Sequence, residues 1–352
     1  MLVETVLLRR RAQAKLAELS GTHRWLLTDE ALQQASAAAV ARHRAQRIAA
    51  AAPDAVVHDV TCSIGTELAA LLDAGVPADR VVGSDLDPVR LAMARHNICG
   101  VDGIVRADAL APVSRTAVIL ADPARRLGSR RRFDPADYQP PLDRLLDVYR
   151  GRGIAVKAAP GIDFAKVRGL GFDGEIEVTS WRGSVRETCL WSPGLAGGAR
   201  QRRATILDRG EQITDAEPSD CDVRPAGRWI VDPDGAVVRA GLVRHYAARH
   251  GLWQLDPDIA YLSGDALPPG VRGFEVLDSL AYSEKRLRQA LTALDCGALE
   301  ILVRGVGAVQ ADPDALRRRL RLRGQRALSV VITRIGSGAA ARPIVFVCRP
   351  SR

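Results

Sequence analysis

The sequence predicts an α/β fold: a parallel sheet, with a helical segment before it and a smaller α+β domain after it. Between residues 55 and 157, short apolar runs alternate with helical segments, which is the pattern of βαβ units. Four successive apolar runs end at an aspartate, namely Asp59, Asp85, Asp108 and Asp122. The composition then changes after residues 193–198, where proline and glycine predict a boundary.

Composition narrows the class of protein. The chain has 352 residues, enough for two or three domains, and no apolar run long enough to cross a membrane. Its first residues lack the layout of a signal peptide, and its six cysteines form no C-x-x-C pair. We therefore expect a cytoplasmic protein with no metal site and no membrane contact. The net charge of +9, carried mainly by arginine, favours a polyanionic partner, although codon bias would also enrich arginine.

The first 52 residues are predicted to be helical. Residues 7–19 and 29–52 are rich in alanine, leucine, glutamine and arginine, and Thr28-Asp29-Glu30 is an N-terminal capping signal. We expect this N-terminal extension to pack on the domain that follows, with Trp25 as an anchor. Two interpretations stay open: the extension covers a ligand site, or it is a purely structural addition.

The segment from His58 to Glu67 joins the first predicted strand to a helix through a tight turn. This arrangement brings backbone N–H groups and a helix N-terminus close to a ligand. A dinucleotide-binding turn needs three glycines, and only Gly65 is suitably placed, so an ordinary loop remains an alternative. Asp85 ends the next strand about 20 residues further on, where such folds place a ribose-binding carboxylate. Ligands of parallel sheets bind at the carboxyl ends of the strands.

The remaining elements follow from the same signals. Asp87-Pro88 predicts the start of a helix over residues 88–96, and a polar arginine-rich loop spans residues 125–132. Residues 175–181 and 185–191 predict an antiparallel hairpin that closes the sheet. Further predictions are a helix at 140–150, a strand at 153–157, hairpins at 203–207/211–214 and 229–231/236–238, helices at 241–250, 283–294 and 312–322, and strands at 299–303, 328–333 and 344–348.

Residues 55–193 resemble the class I S-adenosylmethionine-dependent methyltransferases. The resemblance implies a Rossmann-like sheet with S-adenosyl-L-methionine as cofactor. It implies that the first turn holds the methionine end, that the second strand end binds the ribose hydroxyls and that the third lies beside the adenine amine. The first turn departs from the family pattern in having fewer glycines. The implied cofactor-binding residues are Asp59, Thr61, Cys62, Ser63, Gly65, Asp85, Leu86, Asp108 and Ala109.

The fourth strand end, Asp122-Pro123-Ala124-Arg125, resembles the family's Asp/Asn-Pro-Pro motif, with alanine for the second proline. The resemblance implies that Asp122, Pro123 and Arg125 are catalytic. Asp122 would accept a hydrogen bond from an N–H nucleophile, and Pro123 would stiffen the turn. Arg125 would bind a phosphate, a carboxylate or a base edge. A turn cap is the alternative role for Asp122.

Positive residues near this edge are candidates for substrate binding. We predict Arg126, Arg130 and Lys157 as substrate contacts, although Lys157 could also be a solvated lysine at a strand end. A second basic run, residues 317–323, either binds phosphate or is a solvated helix face. Aromatic residues make up only 4% of the chain and none interleaves with the basic runs, which argues against a base-stacking platform.

Cys189 raises the question of transfer to carbon, because uracil C5-methyltransferases share a similar Asp-Pro-Pro-Arg loop and use a cysteine nucleophile. Their nucleophile follows the fifth strand, where this chain has Ala158-Ala159-Pro160. Cys189 lies in an apolar strand, which favours a core position. We therefore favour transfer to nitrogen.

The order of the segments resembles bacterial methyltransferases with a THUMP-like C-terminal domain, which implies an RNA substrate. We predict a helical extension at 1–52, a methyltransferase domain at 53–193 and a THUMP-like α+β domain at 194–352. The predicted function is methylation of a base nitrogen in tRNA or rRNA. Alternatives are a small-molecule methyltransferase, a non-catalytic RNA-binding protein with a degenerate methyltransferase fold and, with less support, an NAD-dependent dehydrogenase.

Overall fold

The computed structural model describes residues 2–124, 126–127, 130–131, 134–198, 201–305, 312–336 and 341–351, with backbone only for residues 2, 3, 126, 127, 130 and 131. The chain forms two compact units, Met1–Ala216 and Glu217–Arg352. In the described residues, no helix is long and apolar enough to span a membrane. The same residues contain no cluster of histidine, cysteine, aspartate or glutamate that could hold a metal ion.

The first unit alternates helices and strands, as the sequence predicts. Its helices are α1 (Leu2–Leu16), α2 (Asp29–Gln34), α3 (Ala38–Ala51), α4 (Thr66–Asp73), α5 (Pro88–Asn97), α6 (Leu142–Val148), α7 (Phe164–Gly169) and α8 (Pro193–Ala196). Its strands are β1 (Val57–Asp59), β2 (Val81–Asp85), β3 (Ile104–Arg106), β4 (Val118–Ala121), β5 (Arg126–Leu127), β6 (Arg130–Arg131), β7 (Ile154–Ala158), β8 (Glu175–Trp181), β9 (Ser184–Trp191), β10 (Arg202–Ile206) and β11 (Glu211–Thr214).

Within the described residues, nine of these strands form one sheet in the order β11-β10-β8-β9-β7-β4-β1-β2-β3. Strands β3, β2, β1, β4 and β7 are parallel, and the hairpin β8–β9 pairs antiparallel with β7. The strand order reverses between β1 and β4, which opens a crevice at their carboxyl ends. The predicted Rossmann-like α/β sheet is confirmed.

A single glycine is enough to close the turn between β1 and α4. Gly65 has a φ of +91°, a left-handed conformation that favours glycine. A Cβ atom at this position would lie 2.5 Å from Cγ1 of Ile98, so a side chain would also collide with the loop after α5. Both constraints explain why residue 65 is glycine, whereas the turn fills its other left-handed position with Ser63, at a φ of +48°.

The N-terminal extension packs into the core of the first unit. Leu16, Trp25 and Ile48 share one hydrophobic cluster with Leu68 and Leu71 of α4. The hydroxyl of Thr28 accepts a hydrogen bond from the N–H of Ala31, which is the predicted N-cap of α2. The helix predicted at 29–52 is interrupted at residues 35–37, which separate α2 from α3.

The second unit is an α+β domain. Its strands are β12 (Trp229–Val231), β13 (Trp253–Gln254), β14 (Leu262–Gly264), β15 (Gly273–Ala281), β16 (Cys296–Arg304), β17 (Arg326–Ile335) and β18 (Arg342–Pro350), with helices α9 (Gly235–Arg239), α10 (Val243–His250), α11 (Glu284–Ala293) and α12 (Pro313–Leu320). In the described residues the sheet order is β13-β14-β12-β15-β18-β17-β16, and only β16 and β17 pair in parallel.

Two expectations differ from this structure. The hairpin predicted at 229–231/236–238 is wrong, because Asp234 accepts a hydrogen bond from the N–H of Ala236 and begins helix α9. Residues 194–216, which we expected in the C-terminal domain, belong to the first unit. Strand β10 pairs in parallel with β8 and so extends the first sheet, and Pro193 begins helix α8 rather than a linker.

Candidate active site

A cavity of about 470 Å³ opens at the carboxyl ends of the parallel strands. It brings together the predicted residues Asp59, Thr61, Cys62, Ser63, Asp85, Leu86, Asp108, Ala109, Asp122 and Lys157. The N-terminal extension also contributes to its wall, through Ala31, Gln34, Ala35 and Ser36. The extension therefore covers part of the cavity, as one of the two interpretations proposed. A volume of this size is typical of small-molecule sites.

Thr61 links the ends of strands β1 and β4. Its N–H and hydroxyl donate to Oδ1 of Asp59, at 3.0 and 3.3 Å, and its hydroxyl accepts from the N–H of Asp122 at 2.6 Å. Asp59 is almost fully buried. This burial, followed by the charge of Glu67, raises the pKa of Asp59 to about 8. Asp59 is therefore mainly protonated at neutral pH.

Asp85 and Asp108 both close turns and line the cavity. Oδ2 of Asp85 accepts from the N–H of Ser63 at 2.9 Å, and its Oδ1 accepts from the N–H of Asp87 at 2.9 Å. Oδ1 of Asp108 accepts from the N–H of Leu110 at 2.8 Å. These bonds fix both carboxylates, and each oxygen retains a lone pair for a ligand. Leu86 is 58% exposed beside them and offers an apolar surface.

Asp122 is fixed by the loop that follows it and by Lys157. The loop after it is fixed by two backbone hydrogen bonds between Ala124 and Gln139, at 2.8 and 3.0 Å. The ammonium of Lys157 lies 2.5 Å from Oδ2 of Asp122 and 3.2 Å from Oε1 of Glu67. Lys157 is only 3% exposed, so it is not the solvated lysine that one interpretation expected. The charges of Asp122 and Glu67 outweigh burial and raise the pKa of Lys157.

A chain of buried charges continues from Lys157 into the N-terminal extension. Arg44 donates to Glu67 from Nη2 at 2.8 Å and from Nε at 3.2 Å, and its Nη1 bonds to Glu187. Ser36 accepts from Arg44 at 3.0 Å and donates to Glu187 at 3.1 Å. Burial favours the neutral acid, but the charges of Arg44 and Lys157 outweigh it and lower the pKa of Glu67 to about 2.

Some predicted residues lie elsewhere. Gly65 and Pro123 are not among the described residues that line the cavity, so their contribution is to the shape of the two turns. Arg125 lies outside the described residues. The backbones of Arg126 and Arg130 belong to the short β5–β6 ribbon, and their side chains are outside the description. Cys189 is buried in β9, as expected for a core residue, and burial raises the pKa of its thiol.

Sequence reasoning missed four residues of the buried chain: Ser36, Arg44, Glu67 and Glu187. One signal could have found them. Strand β8 places Glu175 and Glu177 at alternate positions beside Ile176 and Val178, and Glu187 follows in β9. Acids inside a covered sheet need cations opposite them. Arg44 and Arg47 of α3 supply such cations, together with Arg203 of β10.

Two curated relatives identify the family. They come from Mycobacterium tuberculosis, strains CDC 1551 / Oshkosh and ATCC 25618 / H37Rv, and both are named uncharacterized S-adenosylmethionine-dependent methyltransferases. Each is 68% identical to this chain, across all of it and 97% of the relative. The chain belongs to this methyltransferase family. Its cofactor is accordingly S-adenosylmethionine, and the predicted enzyme class is confirmed. The NAD-dependent and non-catalytic alternatives lose their support.

Two further comparisons concern domains and fold. Residues 271–350 match the family model described as THUMP domain-like, which covers β15 to β18 with α11 and α12. The crystal structure of a proposed methyltransferase from Porphyromonas gingivalis W83 is similar over 100% of this chain and 90% of that one, with a TM-score of 0.77 and 20% identity. This methyltransferase therefore shares a whole-chain fold with that protein.

The residues of the cavity fit a nucleoside cofactor with a sulfonium group. Fixed carboxylates at Asp85 and Asp108 can accept hydrogen bonds from hydroxyl and amino groups, and exposed Leu86 offers an apolar contact for a base. The carboxylate of Asp122 supplies negative charge at the point where β1 and β4 diverge. S-adenosylmethionine supplies a methyl group that is already activated, which leaves positioning and desolvation to the protein.

Proposed function

We propose that this methyltransferase methylates a base nitrogen of tRNA or rRNA, with Asp122 facing the acceptor. The observation that carries the proposal is the state of the Asp122 carboxylate. Its side chain is 23% exposed, Oδ2 is held by Lys157, and no donor among the described residues contacts Oδ1. One oxygen is thus fixed and the other is available to a ligand in the cavity.

In this proposal, Oδ1 of Asp122 accepts a hydrogen bond from the N–H of the base and directs the nitrogen lone pair towards the methyl group. The same oxygen can take up the proton that the nitrogen loses. Lys157 fixes the orientation of the carboxylate through its contact with Oδ2. Buried Pro123 stiffens the loop that carries Asp122.

The cofactor contacts are part of the same proposal. We assign the ribose hydroxyls to Asp85 and the adenine amine to Asp108, with Leu86 and Ala109 as apolar neighbours. The turn from Thr61 to Gly65, together with Asp59, would hold the methionine end; Cys62 and Ser63 belong to this turn. Arg125, Arg126 and Arg130 follow Asp122 in sequence and would contact the phosphates of the substrate.

Two observations support RNA as the substrate. The C-terminal match is THUMP domain-like, and the chain carries a net charge of +9. The basic run at 317–323 contributes less than its sequence suggested, because Arg317 pairs with Asp314 and Arg319 with Glu284. An RNA substrate is consistent with the cytoplasmic location expected from the sequence.

Labelling of RNA tests the proposal. Purified protein and S-adenosylmethionine with a tritiated methyl group are incubated with total RNA from a strain that lacks the gene, and the labelled nucleoside is identified by mass spectrometry. We expect label in one tRNA or rRNA nucleoside, and labelling about 100- to 1,000-fold slower with Asp122→Asn. Label that appears only in a small-molecule extract would overturn the RNA assignment and favour the small-molecule alternative. Calorimetry with S-adenosylhomocysteine verifies that both proteins bind the cofactor product.

A further inference from the structure

Arg44 is a buried cation whose position in the N-terminal extension calls for an explanation. It is 1% exposed and makes two hydrogen bonds to Glu67, together with bonds to Glu187 and Ser36. The bidentate contact with Glu67 is the strongest form of arginine–carboxylate recognition. Its partner Glu67 belongs to α4, the helix that follows the cofactor-binding turn proposed above.

The charges along this chain alternate in sign. Asp122 contacts Lys157, Lys157 contacts Glu67, Glu67 contacts Arg44, and Arg44 contacts Glu187. Glu67 therefore lies between two cations, and Lys157 lies between two carboxylates. Without Arg44, the buried charge of Glu67 would depend on Lys157 alone. Lys157 would then move towards Glu67, and its 2.5 Å contact with Asp122 would lengthen.

Stability alone is a poor reason for such a chain. Buried ion pairs are expensive to desolvate, and apolar residues of similar volume often replace them without loss of stability. Arg47 provides a comparison one helical turn further along α3. It pairs with Glu175 and Glu177, and neither of these residues contacts the cavity or Asp122. Arg44 differs from Arg47 because its ion pairs lead to the cavity.

We propose that Arg44 is a positioning residue for methyl transfer: by binding Glu67 it leaves Lys157 free to hold the carboxylate of Asp122 towards the acceptor. The N-terminal extension then contributes to methyl transfer, because it carries Arg44. This inference rests on the proposed function in one respect, the role of Asp122. The inference adds Arg44, and with it the N-terminal extension, as residues that orient Asp122 from outside the cavity.

The experiment compares Arg44→Met with Arg47→Met, which removes a cation from the same helix whose side chain is 13% exposed, against 1% for Arg44. Single-turnover methylation of RNA from the deletion strain gives the rate, and calorimetry gives the dissociation constant of S-adenosylhomocysteine. We expect Arg44→Met to lower the rate about 10- to 100-fold, the scale expected for a misplaced reacting group. We expect Arg47→Met to lower it less than about threefold, and both variants to bind S-adenosylhomocysteine within about threefold of wild type. Equal rate losses in the two variants would overturn the inference.

The double variant Arg44→Met/Glu67→Gln separates positioning from general damage. It removes the uncompensated carboxylate as well as the arginine, so Lys157 should return to Asp122. We expect it to recover at least part of the rate lost in Arg44→Met, whereas additive losses would contradict the proposal. If Arg44→Met does not fold, Arg44→Lys and Arg47→Lys replace the pair, because lysine keeps the charge but cannot bind Glu67 in bidentate fashion.

Two further measurements separate this inference from the proposed function. A crystal structure of Arg44→Met should show the Lys157–Asp122 contact lengthened beyond hydrogen-bond distance, and an unchanged contact would overturn the inference whatever the acceptor is. The rate of Asp122→Asn tests the proposed function itself. A normal rate in Asp122→Asn would reject the role of Asp122, whereas a lost rate with equal Arg44→Met and Arg47→Met values rejects only the role of Arg44.

Discussion

Helix α3 supplies cations to two buried ionic clusters on one face of the first sheet, and only one of them reaches the cavity. The cavity cluster consists of Asp122, Lys157, Glu67, Arg44 and Glu187. The enclosed cluster consists of His43, Arg47, Glu175, Glu177 and Arg203. Both clusters pair glutamates with arginines in a largely buried setting. The clusters differ in whether their ion pairs lead to the cavity. Burial of charge therefore does not by itself indicate a functional site.

The enclosed cluster is fully satisfied within the protein. Glu177 accepts hydrogen bonds from His43, Arg47 and the indole N–H of Trp191 at 2.8 Å, and from Thr205 at 2.6 Å. Although burial favours the neutral acid, these donors and the charge of Arg47 hold the pKa of Glu177 well below its usual range. The guanidinium of Arg47 also stacks 4.1 Å from the Trp191 ring. This geometry leaves no oxygen for a ligand.

Asp122→Asn should produce the largest effect, because it removes the only member of the two clusters that we expect to face the acceptor. We expect methyl transfer to fall about 100- to 1,000-fold, since the amide is a poor proton acceptor and its NH₂ group would face Lys157 or the substrate. Binding of S-adenosylhomocysteine should change little. A single-turnover assay and calorimetry measure the two quantities, and a rate within tenfold of wild type would contradict the assignment.

Glu177→Gln tests the enclosed cluster. The substitution removes a charge that four donors contact, and its NH₂ group would oppose at least one of them. We expect the free energy of unfolding to fall by about 3 kcal/mol. The methyl-transfer rate of the folded fraction should stay the same. Urea denaturation gives the first value, and a rate loss as large as that of Asp122→Asn would show that the clusters are coupled.

Asp59 lies beside the cavity cluster and makes no ion pair among the described residues. Because burial raises its pKa from 3.8 to about 8, the folded protein holds a proton that the unfolded chain releases. The stability contributed by this proton is therefore lost as the pH rises, by about 1.4 kcal/mol per unit between those values. Asp59→Asn should flatten this slope. Unfolding free energies measured from pH 5 to 8 test it, and parallel wild-type and variant curves would count against it.

Ser36→Ala should produce the smallest effect. The hydroxyl bridges Arg44 and Glu187, but both charges keep their direct contact. We expect at most a threefold decrease in the methyl-transfer rate, which corresponds to about one hydrogen bond's net contribution or less. Ser180→Ala, a buried serine of β8 outside both clusters, is the matched control and should leave the rate unchanged. A larger loss with Ser180→Ala would contradict this.

The sequence predicted the cavity because its signals are local. Asp59, Asp85, Asp108 and Asp122 each end an apolar run, and parallel strands bring their carboxyl ends to one edge. The ionic chain depends on contacts between distant segments: Arg44 bonds to Glu67 across 23 positions and to Glu187 across 143. The sequence of residues 38–51 is equally compatible with a solvated helix, because no neighbouring residue indicates that Arg44 points inwards.

Turn chemistry explains the misplaced elements. Asp232-Pro233-Asp234-Gly235 is compatible both with a hairpin turn and with a helix start, and Asp234 resolves the choice by capping α9. Pro193 likewise occupies the first turn of α8, a position where proline is also common. In both places the deciding factor is the pairing of the adjoining strand with distant strands: β12, before the first turn, lies beside β14 and β15, and β10, after α8, lies beside β8. Such pairing is not encoded in the turn itself.

Because α3 lies before the first strand of the sheet, a truncation that removes the N-terminal extension also removes its buried arginines. A fragment that starts at residue 53 contains every strand of the first sheet, yet it lacks Arg44 and Arg47. Four glutamates in its interior, Glu67, Glu175, Glu177 and Glu187, would lose counter-ions, and the cavity would lose the wall that Gln34 and Ser36 provide. A shortened form of this enzyme therefore has to retain the leading helices to keep these counter-ions and this wall.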